Sequence, residues 1–200
     1  MTDAVVGLFA KHPEAGQVKT RLGEDVGMER AAQFYAESLA WMLLRLDRSE
    51  FPFHLFFAPA DREQQLKERY GGLEDVPLWS QRGDDLGERM LNAVRCLSDR
   101  SSGPVLIVGS DSPDLPMEYL RRAREALVEH DVVFGPAEDG GYYLVGMNEP
   151  QPALFEGMKW SHPDVLEESL KRARRASLET ATLPVWTDYD RVEDFREVLN

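Results

Sequence analysis

The chain has 200 residues, 36 of them acidic and 23 basic, a net charge of −13, 42% hydrophobic residues and one cysteine. That length encloses one sizeable core and predicts a single α/β domain over residues 1–200, while the acid excess disfavours nucleic acid and anionic membrane as partners, because phosphate backbones attract basic surfaces. Four tryptophans and nine phenylalanines argue against disorder, and the lone Cys96 excludes an internal disulfide and a cysteine-rich zinc site, which fits a reducing cytoplasm.

The opening "MTDAVVGLFAKH" has no basic segment followed by a long apolar one, and no later run approaches the length of a membrane span, so a cytoplasmic protein is expected. "AVVGLFA" (4–10) is a continuous apolar run and predicts a buried strand. Residues 28–46 place Phe34, Leu39, Met42, Leu43 and Leu46 at helical spacing. "FHLFFA" predicts the second strand, and "DREQQLKERY" a helix stopped by Gly71 and Gly72. "VPLWSQ" reads as a short strand, and "DDLGERMLNAVRCLSD" as a helix with Leu86, Met90, Ala93, Val94 and Leu97 on one face and Cys96 as a packing residue. "GPVLIVG" is a strand buried on both sides, followed by a helix near 117–129. "DVVFGPA" and "EDGGYYLVGM" are two apolar strands with no helix between them. "HPDVLEESLKRARRA" restores a helix, "LETATLPVW" reads as a late strand, and "VEDFREVL" as a terminal helix. This alternation predicts a mostly parallel central sheet with helices on both faces and a ligand crevice at the carboxyl ends of the strands.

The first strand leads into "KHPEAGQVKTRL". An ATPase loop needs glycine directly before its lysine, but Val18 precedes Lys19 and the earlier glycine is misplaced, so a P-loop is rejected. A G-x-G-x-x-G fingerprint is missing too. What remains is a strand ending at Ala10, a loop opened by Pro13 and Gly16, and three cations, Lys11, Lys19 and Arg21, suited to a di- or triphosphate; a basic surface loop is the plain alternative.

"VLIVGSDSPDLP" delivers Asp111 at a strand end, where a carboxylate can hold a hard divalent ion that bridges phosphates. Asp114, with Pro116 after it, is expected to cap the following helix. "GPAEDGGYYLVG" sets Glu138 and Asp139 before Gly140, Gly141, Tyr142 and Tyr143; the glycines allow close backbone approach and the carboxylate suits sugar hydroxyls, although "DG" by pattern alone reads more strongly as a hairpin turn. Gln81, Arg82 and Gly83, then Gly87, Glu88 and Arg89, could contact a base or phosphate, but capping by Asp84 or Asp85 accounts for most of that segment. Asp188 and Asp190 offer a second metal contribution, with Asp190 equally an N-cap, and Trp160, Ser161 and His162 offer an acceptor side. The four histidines, His12, His54, His130 and His162, show no H-E-x-x-H spacing, and no G-x-S-x-G elbow occurs. Zinc and serine-hydrolase chemistries fall away.

"FAKHPEAGQVKTRL", "DLGERM", "VGSDSPDLP", "GPAEDGGYYLVG", "KWSHPDVLEESL" and "TDYDRVEDF", in this order, resemble small bacterial GT-A-fold transferases described as radical-SAM/selenodomain-associated or arsenosugar-biosynthesis glycosyltransferases. The wider nucleotide-diphospho-sugar transferase superfamily also contains nucleotidyltransferases, such as those that make molybdopterin dinucleotide or the phospholactate precursor of coenzyme F420. The resemblance implies a single-domain, Rossmann-like GT-A fold. It implies further that Lys11, Lys19 and Arg21 face nucleotide phosphates, that Asp111 holds Mg2+ or Mn2+, and that Asp139 with Gly140 and Gly141 lines the substrate side. Many GT-A glycosyltransferases carry D-x-D, whereas here Pro113 stands two places after Asp111.

The reading that follows is a metal-dependent glycosyltransferase using a nucleotide-diphospho-sugar donor and a small-molecule acceptor. Lys19, Asp111 and Asp139 are its candidate catalytic residues, and Asp111, Asp188 and Asp190 its candidate metal ligands. Ala10, Lys11, Gly16, Lys19, Arg21, Arg82 and Gly87 are expected at the nucleotide, and Gly140, Gly141, Tyr142, Trp160 and Ser161 at the substrate. Two alternatives stay open: a nucleotidyltransferase that joins a nucleoside triphosphate to a phosphorylated small molecule and releases pyrophosphate, and a non-catalytic nucleotide-binding regulatory module. The oligomeric state is open, a homodimer included.

Overall fold

Val5, Val6, Leu8, Phe9 and Ala10 are all buried because the strand they build, β1 (Val5–Lys11), runs through the middle of a seven-stranded sheet. This is seen in a computed structural model that describes residues 3–71 and 75–187. The other strands are β2 (Phe53–Ala58), β3 (Leu78–Ser80), β4 (Val105–Gly109), β5 (Val132–Pro136), β6 (Tyr142–Met147) and β7 (Thr180–Thr182), in the order β3-β2-β1-β4-β6-β5-β7. The helices are α1 (Thr20–Val26), α2 (Met28–Asp47), α3 (Glu63–Arg69), α4 (Leu86–Ser98), α5 (Met117–Ala126), α6 (Pro152–Phe155) and α7 (Val165–Arg175).

Alternate residues of each central strand feed two apolar layers. On one face Val6, Leu8, Leu55 and Phe57 pack with Leu39, Met42 and Leu46 of α2 and Leu120 of α5. On the other, Val5, Phe9, Phe56 and Ile107 pack with Met90, Val94 and Leu97 of α4 and Phe155 of α6. Helices therefore cover both faces, as the alternating sequence pattern requires, and cutting a fully buried Leu39 or Met42 to alanine costs about 2–5 kcal/mol.

β1 pairs in parallel with β2 on one side and β4 on the other. The chain lays β2 and β3 to one side of β1 and then, through α4, places β4 on the opposite side, so the strand order reverses between β1 and β4. Loops leaving two strands at such a reversal diverge and open a crevice. β6 is antiparallel to both β4 and β5. The short link from β5 to β6 has no room for a crossover helix, so the two form a hairpin whose turn, near 138–141, reaches the same end of the sheet as the loops after β1 and β4.

Four details depart from the sequence expectation. A separate helix, α1, precedes α2 and breaks at Gly27, whose φ of +95° suits glycine. α5 stops at Ala126 rather than near residue 129. Leu86, expected on the buried face of α4, is 43% exposed, because the apolar stripe begins at the helix's next turn with Met90. Asp114 does not cap α5: Pro116 is the N-cap residue, with no side-chain cap bond. The expected terminal helix lies outside the described residues. No helix among the described residues is long and apolar enough to cross a membrane.

Candidate functional site

The register that pairs Phe9 with Gly109 sends Lys11 and Asp111 out of adjacent strand ends side by side. Ser110 N–H donates to the Phe9 carbonyl at 3.1 Å, the last backbone bond before the two chains part. The loop after β1 then turns back, and Lys19, at the N-cap of α1, adopts a left-handed conformation with φ 45° and ψ 45°. A non-glycine residue there carries strain of about 1–3 kcal/mol, and such strain clusters at functional sites. Its side chain returns to the crevice and sets Nζ 2.7 Å from Asp111 Oδ1.

The two ends of this ion pair are unequal. The Lys19 side chain is 2% exposed and the Asp111 side chain 51% exposed, so a desolvated ammonium sits behind a carboxylate that still faces water. The cation from the first loop and the carboxylate after β4 thus meet directly. Lys11 and Gly16 are exposed on the same loop, Gly16 with φ +77°, and Arg21 is exposed on the first turn of α1. Ala10 is buried, and its carbonyl accepts from Gln81 Nε2 at 3.1 Å while Gln81 also donates to the Phe56 carbonyl at 3.0 Å. Gln81 therefore fastens the ends of β1 and β2 from the loop after β3. His12, next to Lys11, has its imidazole pKa lowered by burial and by Arg62, which favours the neutral ring.

Arg82 is exposed, and its carbonyl accepts from Asn92 Nδ2. Asp85, not Asp84, caps α4, taking the Glu88 N–H at 2.9 Å while Glu88 Oε2 takes the Asp84 N–H, a reciprocal capping box. Gly87, expected at the nucleotide, is buried against Trp160: a Cβ there would stand 2.6 Å from Trp160 Cζ2 and 2.8 Å from the Phe155 carbonyl oxygen. Trp160 meets Tyr142 edge-on at 6.4 Å and stacks on Phe155. Burial holds the Tyr142 hydroxyl well above the ordinary tyrosine pKa.

The Asp139 carboxylate accepts the Gly141 N–H at 2.9 Å, closing the turn that joins β5 to β6. Gly140, with φ +87°, lies so close to Pro163 that a Cβ would overlap its carbonyl oxygen at 1.8 Å, and its own carbonyl receives the Leu166 N–H at 3.0 Å. Turn and α7 are thereby locked together. Glu138 is exposed. Ser161 is exposed in a left-handed conformation, φ 62°, and the His162 ring is tied into its own loop: Asp164 N–H donates to Nδ1 and Nε2 lies 3.0 Å from the Lys159 carbonyl, which selects the Nε2–H tautomer. These bonds give His162 a structural role. Tyr143 is buried with its hydroxyl on the Pro184 carbonyl.

Two positions were hidden from the sequence reading, and a third, Gln81, was read only as a base or phosphate contact. Tyr35 of α2 reaches the crevice and bonds both Lys11 N–H and Ser110 Oγ. Trp186 gives its indole N–H to Asp114 Oδ1 at 3.2 Å and its backbone N–H to Pro136, tying the loop after β4 to the hairpin strand β5. Gln81 braces the strand ends as described. Only the tyrosine's place one residue after Phe34, at helical spacing to Leu39 and Met42, carried any signal.

Among the described residues no group of three His, Cys, Asp or Glu side chains could hold a metal ion. Asp111, a half-exposed carboxylate just after β4, has the chemistry of a magnesium-type ligand. Such ions are commonly held by one or two carboxylates together with substrate phosphates and water, so the arrangement fits a cation that arrives with a nucleotide. Asp188 and Asp190, the expected further ligands, lie outside the described residues. A polar hollow of about 480 Å3 elsewhere, lined by Lys159, His162, Glu167, Lys171 and Arg172, contains neither Lys19 nor Asp111.

Comparison with known proteins agrees with this architecture. The chain is similar to a Desulfovibrio desulfuricans G20 protein provisionally assigned as a nucleotide-diphospho-sugar transferase, with 38% identity, TM-score 0.91, and coverage of 99% of this chain and 87% of that one. CMP:2-keto-3-deoxy-manno-octonic acid synthetase, solved with CTP, shares the fold at 11% identity and TM-score 0.62, covering 98% of this chain and 97% of that one. Rv0371c of Mycobacterium tuberculosis H37Rv, solved with manganese, does so at 16% identity and TM-score 0.56, covering 100% and 98%. No curated protein matches the sequence significantly. The family model described as "Uncharacterized protein conserved in bacteria (DUF2064)" matches residues 43–162, and the chain belongs to that family.

Proposed function

We propose that the protein is a divalent-cation-dependent glycosyltransferase that takes a nucleotide-diphospho-sugar donor in the crevice between β1 and β4 and passes the sugar to a small-molecule acceptor. The observation that carries this reading is the Lys19–Asp111 pair at the strand-order reversal, 2.7 Å apart and bordered by Lys11 on the neighbouring strand end. The relative at 38% identity, assigned to nucleotide-diphospho-sugar transfer, supports the choice of donor. The manganese of Rv0371c belongs to that protein and is in keeping with a divalent ion here.

In this reading Lys11, Lys19 and Arg21 neutralise the donor's diphosphate through charge-assisted hydrogen bonds. Asp111 would hold Mg2+ or Mn2+, and the ion when bound would supply positive charge beside the leaving diphosphate. The bond from the anomeric carbon to the diphosphate oxygen breaks, an acceptor oxygen bonds to that carbon, and the acceptor's proton passes to a base or to water. The hairpin turn at Asp139, Gly140 and Gly141, with Tyr142, Trp160 and Ser161, forms the sugar and acceptor side. Arsenosugar-type or radical-SAM-associated acceptors belong to the same reading, as does a cytoplasmic setting.

A specific observation favours a second reading, nucleotidyl transfer. Asp111 has no D-x-D partner, since Pro113 stands in that place, and a buried lysine beside a single strand-end carboxylate suits a triphosphate. An acceptor phosphate oxygen would then bond to the α-phosphorus while pyrophosphate leaves. Incubation with panels of nucleotide sugars and nucleoside triphosphates, with Mg2+ or Mn2+, separates the two. Release of a nucleoside diphosphate supports glycosyl transfer and release of pyrophosphate supports nucleotidyl transfer. Tight nucleotide binding without turnover, unchanged in Asp111→Asn, would instead make the protein a regulatory nucleotide-binding module.

A further inference from the structure

Tyr35 stands on α2, 3% exposed, with its hydroxyl at the point where β1 and β4 separate. Along β1 the N–H groups on the β4 side find strand partners up to the Ser110–Phe9 bond; beyond it β4 has turned away. The Lys11 N–H has therefore lost its ladder partner, and the Tyr35 hydroxyl takes it at 2.9 Å. The same oxygen lies 2.7 Å from Ser110 Oγ. With the hydroxyl oxygen accepting from Lys11 and hydrogen-bonded to Ser110 Oγ, one side chain from outside the sheet closes the gap between two diverging strand ends. Lys11 and Asp111 are the immediate neighbours of those two bonds.

Resting on the functional reading above, we propose that Tyr35 is a positioning residue: its hydroxyl fixes the distance between the Lys11 end of β1 and the Ser110–Asp111 end of β4, and so sets the geometry in which Asp111 meets a nucleotide-bound cation. Burial, with Asp111 nearby, raises the phenol's pKa, so the hydroxyl keeps its proton throughout the working range and the bridge stays intact. The ring alone would fill the same space. What the hydroxyl adds is registration of two loops that no backbone bond joins beyond Ser110 and Phe9.

The test compares Tyr35→Phe, which keeps the ring, with Met42→Ala, which opens a cavity in the same layer of α2 and serves as a control for lost stability. Two readouts are taken: amide hydrogen exchange of the segments after β1 and β4, and the Mn2+ concentration that half-saturates binding, followed by electron paramagnetic resonance with CTP or UDP present. Tyr35→Phe is expected to raise exchange in both segments together and to increase the half-saturating Mn2+ about tenfold, the loss of roughly one well-made hydrogen bond; Met42→Ala is expected to leave the Mn2+ value unchanged. Unaltered exchange in either segment overturns the bridge whatever the protein binds. Raised exchange with an unshifted Mn2+ value, or an equal shift in Met42→Ala, leaves Tyr35 merely structural and overturns the positioning role while the functional reading stands. A wild-type protein that binds no Mn2+ with either nucleotide overturns both.

Discussion

The unequal burial of Lys19 and Asp111 makes their substitutions unequal in a way that can be measured. Asp111→Asn removes a counter-charge 2.7 Å from an ammonium whose side chain is 2% exposed, whereas Lys19→Met leaves a carboxylate that is 51% exposed and can hydrate. Stripping the partner from a buried charge costs about 3–5 kcal/mol. A solvent-exposed pair contributes only about 0.2–1 kcal/mol. With one end buried and the other half in water, Asp111→Asn should destabilise by about 2 kcal/mol and Lys19→Met by less than about 1 kcal/mol. For a chain of this size each kcal/mol moves Tm by about 2–4 °C, so Asp111→Asn should lower Tm by about 4–8 °C. The double variant should resemble Lys19→Met, because the desolvated charge is gone. Urea unfolding of the wild type, both single variants and the double variant gives the cycle. Equal losses in the two single variants, or strict additivity, would refute the argument that the lysine is the desolvated partner.

His54 is held neutral by burial first and by Arg100 second, and its Nδ1 accepts the Trp79 indole N–H at 2.8 Å. Its folded pKa therefore lies below the ordinary imidazole value of 6.5, the unfolded chain takes up the proton first, and the stability from the neutral ring, full above that pH, is lost as pH falls below it. His54→Gln should flatten the fall in urea midpoint between about pH 7 and pH 5 relative to wild type; an identical slope would count against it. Gly140→Ala should cost at least about 2 kcal/mol, combining an unfavourable φ with overlap on the Pro163 carbonyl, and should show as a lowered Tm. Asp85→Ala removes the bond to the Glu88 N–H and should cost about 1 kcal/mol, read from the urea midpoint, while Asp84→Ala should cost much less.

The central strands were legible because each is a short apolar run between turn signals, and "FHLFFA" spans the residues of β2 without adjustment. α1 was not, since in Thr20–Val26 only Leu22 and Gly23 are buried, too few to show a helical period. The cationic loop and Asp111 could be found from their positions after strands, but their direct contact depends on Lys19 adopting a left-handed backbone, which no residue type announces for lysine. Gly87 reads locally as a helix-start glycine open to a base or phosphate; Trp160, which packs on it, arrives from far along the chain. Asp114 reads as a cap because of its place before a helix, and Trp186 claims it instead. Tyr35 looks like core lining, and only the divergence of two strands makes its hydroxyl matter.

The reversed strand β6 has a mechanical consequence. Because it returns beside β5, the corner at Asp139 and Gly140 is anchored through both of its strands, through Pro163 and Leu166, and alongside Trp186. On the other side the loop from His12 to Val18 is held by His12 N–H on the Ala58 carbonyl, by Glu14 against Arg62 and by the buried Val18, while Gly16 meets nothing within 4 Å of where a Cβ would stand. In the proposed reading a donor in this mouth would rest on that braced corner on one side and on the loop that carries Gly16 on the other.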